Sequence, residues 1–295
     1  MTNTKIEYLV GIDGGGSGCR VAISDRAGKL LGAGKAGPAN AASDLDGTLA
    51  NIKNALTEAA DNAGLPDPAL ATARGHAGIA GVLDLEVAQT IADAMPMPTT
   101  VTEDTLTSLQ GALGQRDGIL LSIGTGTVIG VSREGGQTFI GGWGLTLSDQ
   151  ASGAWLGREL LVQVLLCHDG LSPPSDLSRR AFEHFDDDPN KLVAFAAKAT
   201  PAEFAALAPE VISAAETGDL LGLNLMQTGA IYLTKAIDVL GLGRDETLCL
   251  TGGIGPSYKQ WLTPNHRARI SPAEGTALDG ALVLAELAAA EIETA

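Results

Sequence analysis

Aromatic side chains are scarce in this chain of 295 residues, since Phe, Trp and Tyr together make up 4% of it. Hydrophobic residues nevertheless account for 45% of the sequence, so its cores must be built from Leu, Ile, Val and Ala. A length of 295 residues fits two domains of ordinary size. The composition therefore predicts closely packed helices and sheets with small aliphatic side chains between them.

Cysteine and histidine are also sparse. The three cysteines, Cys19, Cys167 and Cys249, lie far apart and include no Cys-x-x-Cys pair, which indicates neither a disulfide framework nor a zinc site. The four histidines show no metal-like spacing. No apolar run approaches the length of a membrane span, and residues 1–7 are polar. We therefore expect no signal peptide, no membrane partner and a cytoplasmic location.

Positive charge is in short supply, because 19 Lys and Arg residues face 35 Asp and Glu residues and leave a net charge of −16. A field of that sign repels nucleic-acid backbones and anionic membranes, which disfavours both as partners. If the chain binds ATP, we expect Mg²⁺ and backbone N–H groups, rather than a cluster of Lys and Arg, to offset the phosphate charge.

Glycine, in contrast, is abundant and is concentrated in residues 9–24, which read LVGIDGGGSGCRVAIS. The pattern predicts a strand, a glycine turn and a second strand. A dinucleotide-binding fingerprint would need a helix directly after the glycines, and a Walker loop would need Lys followed by Ser or Thr. Residues 19–24, CRVAIS, are strand-like and contain no Lys, so both motifs are excluded. Two interpretations remain: a hairpin whose N–H groups bind phosphate, with Asp13 at its mouth, or a glycine-rich hairpin without a ligand.

The same pattern recurs later in the chain. Residues 119–132, ILLSIGTGTVIGVS, again predict a strand, a Gly/Thr turn and a strand. Residues 248–255, LCLTGGIG, end an apolar strand in glycines. Two such hairpins at the heads of two halves, followed by a late Thr-Gly-Gly, resemble the arrangement of actin-like ATPases and sugar kinases.

A third segment makes the resemblance more specific. Residues 141–157, GGWGLTLSDQASGAWLG, are similar to the GGWG…GDEGSG.W.G signature of the BadF/BadG/BcrA/BcrD ATPase family, which includes N-acetylglucosamine and glucosamine kinases. The likeness extends in order from about Gly11 to about Gly280. It implies an α/β, two-domain actin-like ATPase (ribonuclease H-like) fold, with duplicated β-β-β-α-β-α-β-α halves and a cleft between them.

We place an N-terminal ATPase-like domain, on the sugar and phosphate side, at residues 1–116. A C-terminal domain on the nucleotide side follows at residues 117–295, with a helical insertion and a closing helix at about 276–291. The boundary is expected near Gly114–Gly118, where turn residues separate the two halves.

The resemblance implies an enzyme that transfers the γ-phosphoryl group of ATP to the 6-hydroxyl of N-acetylglucosamine or glucosamine. ATP and Mg²⁺ would be its cofactors, the sugar its small-molecule partner, and a homodimer its assembly. An alternative is an ATPase that activates a CoA-ester dehydratase or reductase, but such activators hold an iron–sulfur cluster with cysteines, and here these are scattered. A non-catalytic sugar sensor on the same fold is a third reading; an N-terminal helix-turn-helix and loss of Asp104 would have favoured it.

Roles for individual residues also follow from the resemblance. Asp104 matches the general base, with a helix N-cap as its alternative, and Asp13 matches the magnesium-associated carboxylate, with closure of its own turn as its alternative. The sugar-binding set is Asn40, Asp104, Gly142, Trp143, Gly144 and Asp149, where Trp143 has the alternative role of a core anchor. The nucleotide-binding set is Gly14, Gly15, Gly16, Ser17, Thr125, Gly126, Thr127, Gly252 and Gly253.

The sequence departs from the family pattern at two places. Cys19 stands where a second hydroxyl is usual, and Gln150 stands where the signature has a glutamate. A neutral amide attracts a cationic amine less than a carboxylate does. Gln150 therefore leaves the exact amino sugar open and favours N-acetylglucosamine slightly.

Overall fold

The computed structural model describes residues 6–294, so the first five residues of the polar N-terminal segment lie outside it. The strands are β1 (Tyr8–Gly15), β2 (Gly18–Asp25), β3 (Leu30–Ala36), β4 (Ala73–Ile79), β5 (Thr99–Thr102), β6 (Gly118–Ile123), β7 (Thr127–Arg133), β8 (Gly136–Gly141) and β9 (Thr247–Thr251). The helices are α1 (Leu45–Ala63), α2 (Leu85–Asp93), α3 (Asp104–Leu113), α4 (Gly153–His168), α5 (Asp176–Glu183), α6 (Pro189–Ala196), α7 (Pro201–Ala205), α8 (Ala208–Glu216), α9 (Leu220–Leu240), α10 (Pro264–Arg267) and α11 (Ala277–Thr294).

The first of two compact units combines residues 1–115 with residues 273–295. Its five-stranded sheet has the order β3-β2-β1-β4-β5, in which β1, β4 and β5 are parallel and β2 and β3 are antiparallel to their neighbours. Helix α1 packs closely on β3, where a Cβ added to Gly34 would lie 2.1 Å from the carbonyl oxygen of Ala55. Small residues thus allow the tight helix–sheet packing that the composition predicts.

The closing helix α11 belongs to this first unit, and its expected placement in the C-terminal domain is wrong. It packs on α3 and β1, where a Cβ on Gly11 would lie 2.9 Å from the side chain of Leu282. Leu9, Ala285 and Ala289 form a small buried cluster there. The reason is physical, since the apolar residues of β1 on this face of the sheet need a cover, and α11 supplies it.

The second unit spans residues 116–272 and is built on a four-stranded sheet in the order β8-β7-β6-β9. Strands β6 and β9 are parallel, whereas β6, β7 and β8 form an antiparallel meander. Beyond β9, the second sheet continues as a parallel bridge between Leu248 and Ile270. The first sheet has the complete strand β5 at the corresponding position. The five-strand pattern expected in both halves is therefore complete in the first unit and abbreviated in the second.

Helices α4 to α9 supply most of the second unit's buried core, together with the inner faces of β6 and β7. Residues 201–216 form two helices, α7 and α8, rather than one continuous helix. Pro209 accounts for the break, because proline lacks the N–H that would continue the hydrogen-bond ladder from the preceding turn. Over the described part of the chain, no helix combines the length and apolar character needed to span a membrane.

Candidate active site

Three candidate side chains lie close to the carboxyl ends of neighbouring strands in the first unit's sheet. Asp13 lies near the end of β1, and Asp104 comes two residues after β5. Asn40 forms a backbone bridge with Ala80, directly after β4. Because β1, β4 and β5 are parallel, their carboxyl ends share this edge, which is where open α/β sheets place ligands. The topology therefore gathers the predicted base, metal ligand and sugar ligand in one region.

Asp104 lies in the first turn of α3 and is half-buried. The N-cap position belongs to its neighbour Glu103, whose side chain makes no capping hydrogen bond. Burial is the largest cause that raises the pKa of the Asp104 carboxyl to about 6, and the charges of Asp13 and Glu103 contribute to the same rise. The N–H groups of Asp104 and Thr105 oppose this shift. A carboxyl with a raised pKa at a ligand-binding edge is suited to accept a proton.

Asp13 is 7% exposed, and its Oδ2 accepts a hydrogen bond of 2.5 Å from Nη2 of Arg20. Its partner is thus a side chain on the next strand rather than its own turn. Magnesium is commonly held by one or two carboxylates, with phosphate oxygens and waters completing its coordination. Asp13 fits that donor chemistry. Its charge also contributes to the raised pKa of the Asp104 carboxyl. Within residues 6–294 no group of three or more His, Cys, Asp or Glu side chains forms a closed metal site.

The first glycine hairpin turns through Gly16 and Ser17, which separate the paired residues Gly15 and Gly18. None of its glycines has a φ in the left-handed region. A Cβ added to Gly16 would meet no atom within 4 Å. The lack of a side chain at Gly16 therefore leaves the turn open to an approaching anion, whereas Gly14 is required by packing, because a Cβ there would lie 2.7 Å from the side chain of Ile79.

Asn40 shapes its own loop. Its Oδ1 accepts hydrogen bonds from the N–H groups of Ala42, at 3.1 Å, and Ser43, at 3.2 Å. A Cβ on Gly81 would lie 2.4 Å from that oxygen. The oxygen is thus committed to the turn, whereas the Nδ2 amide is the part of Asn40 that can donate to a sugar hydroxyl.

In the second unit, the loop Gly124–Gly126 joins β6 to β7. Thr125 is exposed, and a Cβ on Gly124 would meet no atom within 4 Å. Thr127 begins β7 and is only 2% exposed, with an Oγ1 that has no hydrogen-bond partner among the described residues. A terminal phosphate would therefore contact Thr125 and Gly126 more readily than Thr127.

Asp149 ties this hairpin to the Gly-Trp-Gly loop. Its carboxylate accepts N–H groups from Thr127 and Gly144, and it lies 7% exposed with a φ of 62°. Burial raises the pKa of the Asp149 carboxyl, and the two N–H donors partly offset this rise. The structure gives Asp149 a role in holding the loop, and its expected contact with the sugar stays a prediction.

Trp143 is 78% exposed, so its alternative role as a core anchor is wrong. Trp155, at 7% exposed, is a tryptophan that does pack in the core of the second unit. Gly142 and Gly144 flank Trp143 with φ values of 77° and 84°. These left-handed residues shape a loop that presents the indole ring to solvent.

The late Thr-Gly-Gly contains two glycines with different roles. Gly252 has a φ of 80°, and a Cβ there would lie 2.2 Å from the carbonyl oxygen of Ile123. Gly253 faces open space. Gly252 is therefore required by packing, and Gly253 is the position that leaves room for a ligand.

Sequence reasoning missed Arg20 and the link from Asp149 to Thr127. Arg20 was detectable, because a hairpin that turns through Gly16 and Ser17 must pair position 13 with position 20. The contact of Asp149 had no such signal, since it joins segments that are not paired in a ladder.

Comparisons with known proteins identify relatives that align over nearly the whole chain. The chain is 31% identical to glucosamine kinase GspK from Vibrio cholerae serotype O1 over 95% of its own length and 96% of that protein. It is 24% identical to an N-acetylmuramic acid/N-acetylglucosamine kinase from Clostridium acetobutylicum, over 95% of this chain and 98% of that one.

Among solved structures, a protein from Chromobacterium violaceum described as a candidate N-acetylglucosamine kinase superposes with a TM-score of 0.86. It shares 30% identity, and the match covers 95% of this chain and 99% of that one. A ROK family glucokinase from Streptomyces griseus, solved in complex with glucose and AMPPNP, shares the fold. Its identity to this chain is 16% and its TM-score is 0.55, over 95% of this chain and 99% of that one. The two-domain actin-like fold that the sequence predicts is therefore confirmed.

The model of the BadF/BadG/BcrA/BcrD ATPase family matches residues 10–281, which include both glycine hairpins and the Gly-Trp-Gly loop. This chain belongs to the BadF/BadG/BcrA/BcrD ATPase family.

Proposed function

We propose that this protein is an ATP-dependent amino-sugar kinase, which transfers the γ-phosphoryl group of ATP to the 6-hydroxyl of glucosamine or N-acetylglucosamine. The observation that carries the proposal is the half-buried Asp104, whose pKa is raised to about 6 beside Asp13 at the carboxyl edge of the first sheet. The names of the relatives, glucosamine and N-acetylglucosamine kinases, supply the substrate class.

The reaction needs a base because a sugar hydroxyl is a poor nucleophile while it keeps its proton. The Asp104 carboxylate accepts that proton as the hydroxyl oxygen bonds to the γ-phosphorus, and the bond from phosphorus to the β,γ-bridging oxygen breaks to release ADP. With a pKa of about 6, Asp104 is ionised at neutral pH and is more basic than an ordinary aspartate.

Positioning of the phosphates is assigned to the hairpins. The open N–H groups around Gly16 in the first unit, and around Thr125 in the second, are suited to phosphate oxygens. Asp13 would hold Mg²⁺, which neutralises charge on the β- and γ-phosphates when bound.

Recognition of the sugar is assigned to exposed polar and aromatic groups. In the first unit, Asn40 offers its Nδ2 donor to a hydroxyl. In the second unit, the exposed ring of Trp143 offers a flat apolar surface to the C–H face of a pyranose. Gly142 and Gly144 leave the backbone beside that ring free of side chains.

The dehydratase-activator alternative needs cysteines that gather around a cluster, and within residues 6–294 no group of three or more His, Cys, Asp or Glu side chains does so. Cys19 and Cys249 are both buried at 0% exposure, and they lie in different units. The (R)-2-hydroxyglutaryl-CoA dehydratase component A of Acidaminococcus fermentans shares the fold at 16% identity and a TM-score of 0.53, over 96% of this chain and 99% of that one. Neither observation supplies a site for an iron–sulfur cluster.

A coupled assay of ADP release tests the proposal with glucosamine, N-acetylglucosamine, glucose and no sugar. We expect sugar-dependent turnover with at least one amino sugar, and a 6-phosphate product identified by ³¹P NMR. ATP hydrolysis that is indifferent to every sugar would overturn the assignment. A homodimer is a further prediction from the resemblance, and light scattering in solution tests it. A cytoplasmic location stays a prediction from the composition of the sequence.

A further inference from the structure

A chain of side-chain hydrogen bonds leads from the interior of the first sheet to the proposed base. His76 on β4 is buried, and its Nε2 lies 3.1 Å from Oγ1 of Thr102 on β5. The same hydroxyl donates to the carbonyl oxygen of Glu103 at 3.1 Å. Thr102 therefore connects a buried side chain of the sheet to the backbone directly before Asp104.

The direction of these bonds follows from the hydrogens that are present. A threonine hydroxyl carries one hydrogen, so Thr102 makes both contacts only if it accepts from His76 and donates to Glu103. Burial, followed by the charge of Arg74, lowers the pKa of the His76 imidazole to about 4, so the ring is neutral at neutral pH. His76 is therefore the neutral tautomer with its hydrogen on Nε2.

The peptide groups on both sides of the Asp104 Cα are held by threonine hydroxyls. The carbonyl of Glu103 and the N–H of Asp104 belong to one planar peptide group. The carbonyl of Asp104 belongs to the next one, and it accepts a hydrogen bond of 2.9 Å from Oγ1 of the buried Thr107. With both planes held, the φ and ψ angles of Asp104 are fixed, and so is the direction in which its side chain leaves the backbone.

Only one of these two threonine bonds is tied to another strand. Thr107 bonds within α3, to the residue three positions before it, whereas Thr102 is held by His76 from β4. Gly78 lies two residues after His76 on the same strand, and a Cβ there would lie 2.2 Å from Oγ1 of Thr107. The missing side chain at Gly78 lets α3 approach β4 closely, and His76 links the first turn of the helix to that strand.

We propose that His76 is a positioning residue for the reaction, which holds Thr102, and through it the first turn of α3, so that the Asp104 carboxylate meets the sugar hydroxyl in a reactive geometry. This inference rests on the proposed kinase function, in which Asp104 is the base. His76 and Thr102 themselves are assigned no contact with the sugar or with ATP.

Two valine variants test the role of the hydroxyl. Thr102→Val keeps the shape of the side chain, and its kcat should fall roughly 10- to 100-fold, because a small displacement of a reacting group costs up to that much. Affinity for a non-hydrolysable ATP analogue with Mg²⁺, measured by calorimetry, should stay within about threefold of wild type. Thr100→Val is the matched control, since Oγ1 of Thr100 accepts a bond of 2.9 Å from Nη2 of Arg74 across the same two strands. It should keep kcat within about threefold, because its bond lies farther from Asp104.

Further variants separate positioning from stability. His76→Leu removes the donor to Thr102 and should lower kcat as Thr102→Val does. His76→Gln places an amide N–H at a similar reach and should bring kcat back to within about fivefold of wild type. Adding Thr102→Val to Asp104→Asn should lower kcat less than about twofold further, because no base is left to position.

Several outcomes would overturn the inference. Near-normal kcat in Thr102→Val would do so, and equal losses in Thr102→Val and Thr100→Val would reduce the effect to one of cross-strand bonds in general. A full additional loss in the Asp104→Asn background would mean that Thr102 acts on a group other than Asp104.

Thermal unfolding checks that each variant is folded. If Thr102→Val is not, equal kcat values in His76→Leu and His76→Gln sink the role of His76. If wild type phosphorylates no amino sugar, the proposed function fails and the inference falls with it. If wild type is active and Thr102→Val matches it, the inference alone fails.

Discussion

The two glycine hairpins share a topology but differ in their charge. The first carries Asp13 and Arg20 as a cross-strand pair, three residues on either side of the turn residues Gly16 and Ser17. The second has no charged residue within its Gly124–Gly126 loop, and its carboxylate, Asp149, comes from a later segment to bind backbone N–H groups. In the first hairpin the charged side chains line a cavity. In the second, the carboxylate of Asp149 accepts hydrogen bonds from the backbone of Thr127 and Gly144.

The two glycine hairpins therefore share their backbone groups but differ in the side chains that accompany them. Each hairpin offers open backbone N–H groups, which a duplicated strand–turn–strand unit supplies wherever it occurs. The residues proposed as the base and the magnesium ligand, Asp104 and Asp13, both lie in the first unit. Substitutions in the first unit should therefore affect chemistry more than stability, and those at Asp149 should do the reverse.

The largest expected effect is that of Asp104→Asn on turnover. Asparagine keeps the size of the side chain but cannot accept a proton, so kcat should fall roughly 10²- to 10⁴-fold. Affinity for the ATP analogue should change little, since the phosphates are assigned to the hairpins. Steady-state kinetics and calorimetry measure the two quantities.

Glu103→Gln provides the matched control for Asp104→Asn. Glu103 is the adjacent carboxylate, is exposed, and makes no capping hydrogen bond. Its substitution should leave kcat within about threefold, because an exposed charge contributes little. Near-normal turnover in Asp104→Asn, or an equal loss in both variants, would refute the assignment of the base.

Replacement of Asp149 in the second unit should lower the stability of the protein. Asp149→Ala leaves the N–H groups of Thr127 and Gly144 without their acceptor and puts alanine at a φ of 62°. We expect the free energy of unfolding to drop by about 2 to 4 kcal/mol in urea titrations. Asp149→Asn keeps one acceptor oxygen and a residue that tolerates left-handed backbone, so its loss should be smaller. Equal stability of Asp149→Ala and wild type would show that the carboxylate does not hold the loop.

The sequence predicts the site of the first unit better than that of the second, and the reason is local. Asp13 lies near the end of β1 and Asp104 lies two residues after β5, so the ends of parallel strands bring them to one edge without further information. Asp149 acts through backbone groups of a distant hairpin, and no periodicity or spacing encodes that contact. The closing helix α11 was misplaced for the same reason, because its cover of β1 joins opposite ends of the chain.

A paired glycine substitution examines what the two hairpins have in common. Gly16 and Gly124 both lie outside the left-handed region, and a Cβ on either would meet no atom within 4 Å. Alanine at either position should leave the unfolding free energy within about 1 kcal/mol of wild type. If both turns face phosphate, each variant should bind the ATP analogue about tenfold more weakly, because the methyl group blocks an N–H contact. A loss in only one variant would assign phosphate binding to that hairpin alone.

The smallest expected effect is the pH dependence set by Asp104. Its pKa of about 6 arises mainly from burial, with a further rise from Asp13, and only the ionised carboxylate accepts a proton. The kcat/KM of wild type should therefore fall below pH 6, by about tenfold at pH 5, and the residual activity of Asp104→Asn should lack that limb.

Stability should change in the opposite sense. Because the folded pKa lies above the ordinary value of 3.8, the ionised carboxyl destabilises the fold above pH 6, and this penalty disappears as the pH falls below 3.8. Asp104→Asn should thus be more stable than wild type at pH 7.5 and lose that advantage by pH 4, as measured by thermal unfolding at each pH. A variant that is less stable than wild type at pH 7.5 would mean that the carboxylate supports α3 rather than destabilising the fold through its burial.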